Sequence, residues 1–123
     1  MGKIYSASEA ELEVMEKLWD LEEGVKQSKL LALFEADGKE WKRQTLNTFL
    51  SRLEEKGLVT RENRIVKTAL SREEYHYEQI QAAIDAMYGG SLSNLVAAYL
   101  KDEKLSKSEK EELKHILDNY WEE

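Results

Sequence analysis

The chain has 123 residues, a formal charge of −7 at pH 7, no cysteine and no proline. This length fits one domain or two very small ones, and a core of that size often needs a partner chain, so we expect a dimer. The lack of cysteine excludes disulfides, thiolate metal sites and cysteine nucleophiles. The sequence contains no signal-peptide or membrane-span pattern, which predicts a cytoplasmic protein, and the absence of proline favours a mainly helical fold.

The N-terminal third of the chain predicts two helices. Ser8 precedes acidic residues and an apolar pattern over residues 12–21, which predicts an N-capped helix that stops near Gly24. A second, shorter helix is expected over residues 27–35. The dipeptide Asp37-Gly38 then predicts a turn.

Trp41 leads into a third predicted helix with two contrasting faces. Apolar residues recur with a helical period and should face a core: Leu46, Phe49, Leu50 and Leu53. A second stripe, about 200° around the helix, is purely polar and contains no acid: Gln44, Asn47, Thr48 and Ser51. Amide and hydroxyl groups flanked by Arg43 and Arg52 suit base edges and phosphates, so this face predicts a DNA reader. The alternative is an ordinary solvated helix face.

A short basic hairpin follows this helix. Gly57 is expected to end the helix, and residues 61–67 place Arg61, Arg64 and Lys67 around a turn at Glu62-Asn63. Helix and hairpin together indicate a winged helix-turn-helix over residues 1–71, whereas the hairpin alone could be a surface turn with incidental charge. Local charge favours the first interpretation, because residues 39–67 carry eight basic and four acidic groups while both flanking segments are acidic.

Residues 72–123 predict three short amphipathic helices, with a break at Gly89-Gly90 and a capping box from Ser106 to Glu109. Such helices do not easily close a core alone, so we expect a dimerisation domain; the alternative is that they pack back onto the winged helix of the same chain. The predicted dimer interface comprises Tyr77, Ile80, Ile84, Met87, Leu92, Leu95, Val96, Tyr99, Leu113, Ile116, Leu117 and Tyr120.

Three separated blocks of sequence resemble the BlaI/MecI/CopY family of bacterial transcriptional repressors. They are AELEVMEKLW at residues 10–19, TLNTFLSRLEEKGLV at residues 45–59, and a third, later block that comprises SREEY and GSLSNLV. The resemblance implies a homodimer with an N-terminal winged helix and a C-terminal helical dimerisation domain. It further implies binding to palindromic operators related to TACA and TGTA, with release when a signal disrupts the dimer.

The resemblance also implies roles for single residues of the third helix. Gln44 would read adenine or contact phosphate, Asn47 would read a base, and Arg52 would hold phosphate. Thr45 and Thr48 suit phosphate oxygens or a thymine methyl group. The complete predicted DNA-binding set is Lys42, Arg43, Gln44, Thr45, Asn47, Thr48, Arg52, Arg61 and Arg64.

Two departures from the family pattern concern this DNA-binding set. Lys42 stands where many relatives have a Ser or Thr N-cap, a departure that affects the capping of the third helix, and Lys42 could contact phosphate. The wing is one or two residues shorter than expected, which affects the minor-groove reach of Arg61 and Arg64. Trp41 is expected to be a buried anchor at the helix entrance, the alternative being a ring that stacks on DNA.

The inducing signal is only partly indicated by the sequence. Without cysteine, the paired CxC motifs of the copper-sensing members are absent and release by that route is excluded. The β-lactam-responsive members imply cleavage of the aligned bond Ala98–Tyr99, with a regulatory protease as partner. Relatives have Asn before Phe at this bond, and the alternative is that Leu95, Val96 and Tyr99 form only dimer core.

No catalytic or cofactor pattern is found. His76 and His115 have no second His at i+4 and are expected to be exposed rather than metal ligands, so we expect no metal, no cofactor and no enzymatic activity. A second function class stays open beside the repressor. A winged-helix module could bind protein instead of DNA, through the acidic faces of residues 9–23 and 109–118.

Overall fold

The computed structural model describes residues 7–101 and 104–120. This part of the chain forms six helices and three short strands, which confirms a mainly helical fold with a small β wing. In chain order they are α1 Glu9–Leu21, β1 Val25–Lys26, α2 Gln27–Ala36, α3 Arg43–Glu55, β2 Val59–Glu62, β3 Ile65–Thr68, α4 Arg72–Tyr88, α5 Leu92–Leu100 and α6 Lys107–Asn119.

The chain divides into two compact units, one ending at Ala82 and the other beginning at Ala83. The sequence places the boundary at 71/72, but the first part of α4 belongs to the N-terminal unit. Tyr75 is buried against Trp19, with ring centroids 5.5 Å apart, and Arg72 donates to Glu16 and Asp20 of α1 at 2.8 and 3.0 Å. The assignment of residues 72–123 to dimerisation stays a prediction.

Helix α1 begins as predicted and ends earlier than predicted. Ser8 and Glu11 form a capping box, in which each side chain accepts from the other residue's backbone N–H at 3.1 Å. The helix ends at Leu21 because Glu22 adopts the left-handed conformation with φ 64°. Gly24 serves another purpose: a Cβ there would lie 2.6 Å from the Ile65 Cγ2 atom, so only glycine lets β3 approach this closely.

The core of the N-terminal unit lies between α1, α2, α3 and the sheet. Its most buried members are Val14, Met15 and Leu18 of α1, Leu30 and Phe34 of α2, Leu46, Leu50 and Leu53 of α3, and Leu58, Val59 and Val66 around the sheet. The apolar stripe predicted for α3 is confirmed, with Phe49 only partly buried at its edge. Burial of one face fixes which face of α3 points outward.

The three strands form an antiparallel sheet in the order β1-β3-β2. Strand β1 was not expected, because two residues cannot show a period-2 pattern. The sequence predicts the hairpin turn at Glu62-Asn63, and this prediction is wrong by one residue. Glu62 pairs with Ile65, so the two turn residues are Asn63 and Arg64. Both turn residues have positive φ, 53° and 67°, as a type I′ hairpin requires.

The C-terminal unit contains α5, α6 and the end of α4. Gly89 and Gly90 both have positive φ and end α4, as predicted, and Ser91 and Ser106 cap the next two helices through side-chain oxygens. Neither α5 nor α6 contains a buried residue. Among the described helices, none has both the length and the apolar character needed to cross a membrane.

Candidate nucleic-acid interface

The outward face of α3 exposes most of the predicted DNA-binding residues. Lys42, Arg43, Gln44, Asn47, Thr48 and Arg52 are exposed on or beside this helix, and Arg64 is exposed at the tip of the hairpin. Thr45 and Arg61 are half-buried. An amide- and hydroxyl-bearing helix face between exposed cations is the surface that a major groove accommodates.

The N-terminus of α3 lacks a side-chain cap. Lys42 occupies the N-cap position with extended backbone, and its side chain makes no cap hydrogen bond. The first backbone N–H groups of the helix therefore have no side-chain acceptor from the cap residue, and they lie beside the Lys42 and Arg43 cations. Such a helix start suits a phosphate better than a self-satisfied cap would.

The side chain of Arg61, a residue of β2, packs against α3 and does not lie at the tip of the wing. Its guanidinium donates to Asn47 Oδ1 at 2.9 Å, to Ser51 Oγ at 2.9 Å and to Glu54 Oε1 at 2.8 Å. A weaker contact of 3.4 Å joins it to Gln27 Oε1 at the start of α2. The structure thus brings the Arg61 and Asn47 side chains together, whereas Arg64 is exposed at the hairpin turn, where its backbone carbonyl accepts from the Gln27 N–H at 3.2 Å.

This inward position of Arg61 follows from strand alternation. Val59 is buried, and a side chain two residues later on a strand points to the same face. Arg61 therefore faces α3, and its side chain is only 20% exposed. The direction of Arg61 could have been predicted from the sequence. The polar stripe of α3 continues one turn beyond Ser51 to Glu54, and this acid attracts the guanidinium.

Two residues of this network were not predicted from the sequence. Glu54 lies one turn beyond the acid-free polar stripe that ends at Ser51, and as an acid it does not fit the pattern of a DNA-binding face. Gln27 contacts Asn47 from another helix, with its Nε2 atom 3.4 Å from Asn47 Oδ1. No spacing rule within α2 or α3 encodes that contact, since it depends on how the two helices cross.

Thr48 uses its hydroxyl within its own helix. The Oγ1 group donates to the backbone carbonyl of Gln44 at 3.0 Å. While that bond is kept, the hydroxyl cannot donate to a phosphate oxygen. Of the two roles expected for Thr48, contact between its methyl group and a thymine methyl is therefore the better fit.

Not all cations of the positive segment are available to a ligand. Lys39 pairs with Glu13, Lys56 with Glu11 and Arg61 with Glu54. Within the described part of the chain, five cations of residues 39–67 have no acid within ion-pair distance: Lys42, Arg43, Arg52, Arg64 and Lys67. These five are the side-chain cations of the segment that can neutralise phosphates without first breaking an ion pair.

The two ends of α3 are held by different contacts. At its start, the half-buried Trp41 ring packs between Phe34 and Phe49, at centroid distances of 4.7 and 5.0 Å. This matches the expected anchor role. At its end, Lys56 reaches the almost completely buried Glu11 of α1 at 2.6 Å.

The Glu11 carboxyl is kept ionised by its partners. Burial raises its pKa, but hydrogen bonds from Lys56 and from the Ser8 backbone N–H outweigh this, and the net pKa lies below the ordinary value. A charged pair therefore ties the end of α3 to the beginning of α1.

The predicted dimer residues are mostly uncovered in a single chain. Ten of the twelve are exposed large apolar side chains, from Leu113 at 40% to Tyr120 at 78%; Ile84 and Leu95 are half-buried. Ala98 and Tyr99 are both exposed on α5. Across residues 7–101 and 104–120, no three His, Asp or Glu side chains form a group that could hold a metal ion.

Comparison with known proteins gives consistent matches over almost the whole chain. The family model described as "Penicillinase repressor" matches residues 7–119. The methicillin resistance regulatory protein MecI of Staphylococcus aureus strain N315 is 29% identical over 120 residues, covering 94% of this chain and 96% of that protein. The penicillinase repressor of Bacillus licheniformis is 28% identical over 124 residues, covering 98% and 95%.

Proposed function

Because the chain belongs to the penicillinase repressor family, a family of repressors rather than enzymes, we propose that it is a sequence-specific DNA-binding transcriptional repressor. In this proposal α3 lies in the major groove of operator DNA and the hairpin lies beside it, as in other winged helix-turn-helix proteins. The observation that carries it is the outward face of α3. There, exposed Gln44, Asn47 and Thr48 lie between cations that have no acidic partner among the described residues.

We further propose that two copies bind one palindromic operator of the TACA/TGTA type. Two readers related by a two-fold axis need a dimer interface outside the DNA-binding face. The exposed apolar residues of α4, α5 and α6 support such an interface, because a lone chain leaves them in water. The protein would act in the cytoplasm, where the operator is.

A signal that separates the two copies would release the operator. The Ala98–Tyr99 bond is the proposed point of attack for a regulatory protease, and α5 has no buried residue in the single chain to hold it. Cleavage there would remove part of α5 and all of α6 from the dimer domain. Mass spectrometry after co-expression with a sensor protease from the same genome tests this step, and an intact bond would contradict it.

The dimer and DNA-binding parts of the proposal can be tested together. Leu117→Lys places a charge on the exposed apolar face of α6, whereas Glu111→Lys introduces the same residue on its polar face. We expect Leu117→Lys to be monomeric by analytical ultracentrifugation and to lose affinity for the palindrome. Glu111→Lys should remain dimeric and bind. If Leu117→Lys stays dimeric with unchanged affinity, the proposed interface is wrong.

A further inference from the structure

The Arg61 contact leaves the Asn47 side chain with one kind of free hydrogen-bonding group. Arginine has only donors, so the Asn47 atom at 2.9 Å from its guanidinium is the carbonyl oxygen Oδ1. Gln27 Nε2 lies 3.4 Å from the same oxygen. The Asn47 amide nitrogen has no acceptor among the described residues and remains able to donate.

We infer that Arg61 is a specificity-determining residue, which makes Asn47 a hydrogen-bond donor to the bases and withholds its acceptor. The inference rests on the proposed DNA-binding function, because it concerns which base α3 selects. Asparagine pairs bidentately with adenine only when Oδ1 accepts from the adenine N6 amino group while the amide donates to N7. Oδ1 accepts from Arg61 at 2.9 Å and more weakly from Gln27 at 3.4 Å, so both of its lone pairs are used and that pairing is lost.

The bases that fit a donating Asn47 follow from the edges they present in the major groove. Guanine offers the acceptors N7 and O6, and thymine offers O4, whereas cytosine offers only an amino donor. Adenine offers N7 but leaves its amino group without an acceptor. The geometry therefore favours guanine or thymine over adenine and cytosine at the base that Asn47 contacts.

Two features hold the Arg61 guanidinium in this position. Arg61 faces α3 because Val59 on the same strand is buried, so the strand directs it there. Two further groups, Ser51 Oγ and Glu54 Oε1, hold the same guanidinium at 2.9 and 2.8 Å. A fork with several fixed partners is preorganised before DNA arrives.

The test is selection from a library of palindromes with randomised half-sites, using the full-length dimer. Asn47→Ala first identifies the position at which base preference depends on Asn47. At that position the unsubstituted protein should prefer guanine or thymine. Arg61→Met, which keeps the apolar stem and removes every donor, should shift the preference towards adenine by about tenfold.

A second variant separates this role from loss of charge or of fold. Glu54→Met removes a carboxylate that holds Arg61, so it should raise overall affinity for DNA while moving the preference in the same direction as Arg61→Met. Arg64→Met is the matched control, because Arg64 is exposed at the turn and, among the described residues, its side chain forms no hydrogen bond with Asn47. It should weaken binding to every sequence alike. Thermal unfolding by circular dichroism checks that each variant folds.

The outcomes distinguish this inference from the proposed function. If the unsubstituted protein selects no sequence at all, both fail. If it is sequence-specific but prefers adenine at the Asn47 position, or if both Arg61→Met and Glu54→Met keep its base preference, only the role of Arg61 is refuted. An Asn47→Ala protein with unchanged preference at every position would also overturn it.

Discussion

Replacing Lys56 by Met should lower the free energy of unfolding, and the size of this loss should depend on pH. Glu11 is 2% exposed and the Lys56 side chain 29% exposed, with 2.6 Å between Nζ and Oε1. In the variant, the buried Glu11 carboxylate keeps the hydrogen bond from the Ser8 N–H but loses the one from Lys56. Breaking a buried ion pair by removing one partner costs about 3–5 kcal/mol, and because Lys56 is partly solvated we expect a smaller loss of about 2 kcal/mol at pH 7.

The pH dependence follows from the two pKa directions. In the unsubstituted protein the folded pKa of Glu11 lies below the ordinary value of 4.5, so its contribution to stability is present above that value and is lost as pH falls through the folded pKa. Without the hydrogen bond and charge of Lys56, less opposes the effect of burial, so the pKa of Glu11 in the folded variant rises. Protonation of Glu11 then removes the cost of its unpaired buried charge in the variant. The difference in unfolding free energy between the unsubstituted protein and Lys56→Met should therefore shrink as pH falls from about 7 to about 4.

Urea unfolding followed by tryptophan fluorescence measures this difference. A Trp121→Phe background restricts the signal to Trp19 and Trp41 of the N-terminal unit. Protein concentration is held constant, because dimerisation makes apparent stability depend on it. Lys17→Met is the control: its partner Asp37 is 51% exposed, so the loss should stay below about 1 kcal/mol and vary little with pH. Equal losses in the two variants, or a Lys56→Met loss that is the same at both pH values, would refute the reasoning.

Substitutions at three other positions test two glycines and the hydroxyl group of Thr48 on the outward face of α3. Gly57→Ala should lower the unfolding free energy by about 1 kcal/mol through its positive φ of 78°, since no atom obstructs the added methyl group, and Gly57→Asn should cost less. Gly24→Ala should cost about 1–3 kcal/mol by displacing Ile65, which urea unfolding and the amide spectrum of the hairpin would report. Thr48→Val should change operator affinity by less than about threefold, because the hydroxyl proton is already bonded to Gln44; a loss of about a hundredfold in an anisotropy titration would show a direct hydroxyl contact with DNA.

Periodicity along the chain was enough to predict the helices and the buried face of α3. Leu46, Leu50 and Leu53 are fully buried as their spacing indicated, and Ser8 caps α1 as its sequence context indicated. These features depend on local patterns, which a single sequence contains. The sequence predicts the hairpin turn one residue too early, at Glu62-Asn63 instead of Asn63-Arg64. Arg64 adopts a positive φ in the type I′ turn, and arginine is not a residue type that predicts this conformation.

Contacts between elements were harder to predict. The role of Arg61 depends on strand register and on the crossing of α2 with α3, which bring Gln27 and Asn47 within reach. Charge counting also overestimated the free positive charge, because Lys39, Lys56 and Arg61 are paired with acids from other elements. Strand alternation from Val59 could have revealed the direction of Arg61, whereas the partner of Lys56 required the packed structure.

Binding to a TACA/TGTA palindrome and to a scrambled duplex of equal length, at about 50 and about 200 mM salt, tests the central proposal most directly. Five cations of residues 39–67 in each copy have no acid within ion-pair distance among the described residues, so the two readers of a dimer can release up to ten counterions, and these cations should contribute a slope of log K against log salt of at most about 9 in magnitude. We predict a clear preference for the palindrome at both salt concentrations and a steep fall in affinity between them. Weak, equal binding to both duplexes at both concentrations would contradict the assignment of this α3 face to DNA.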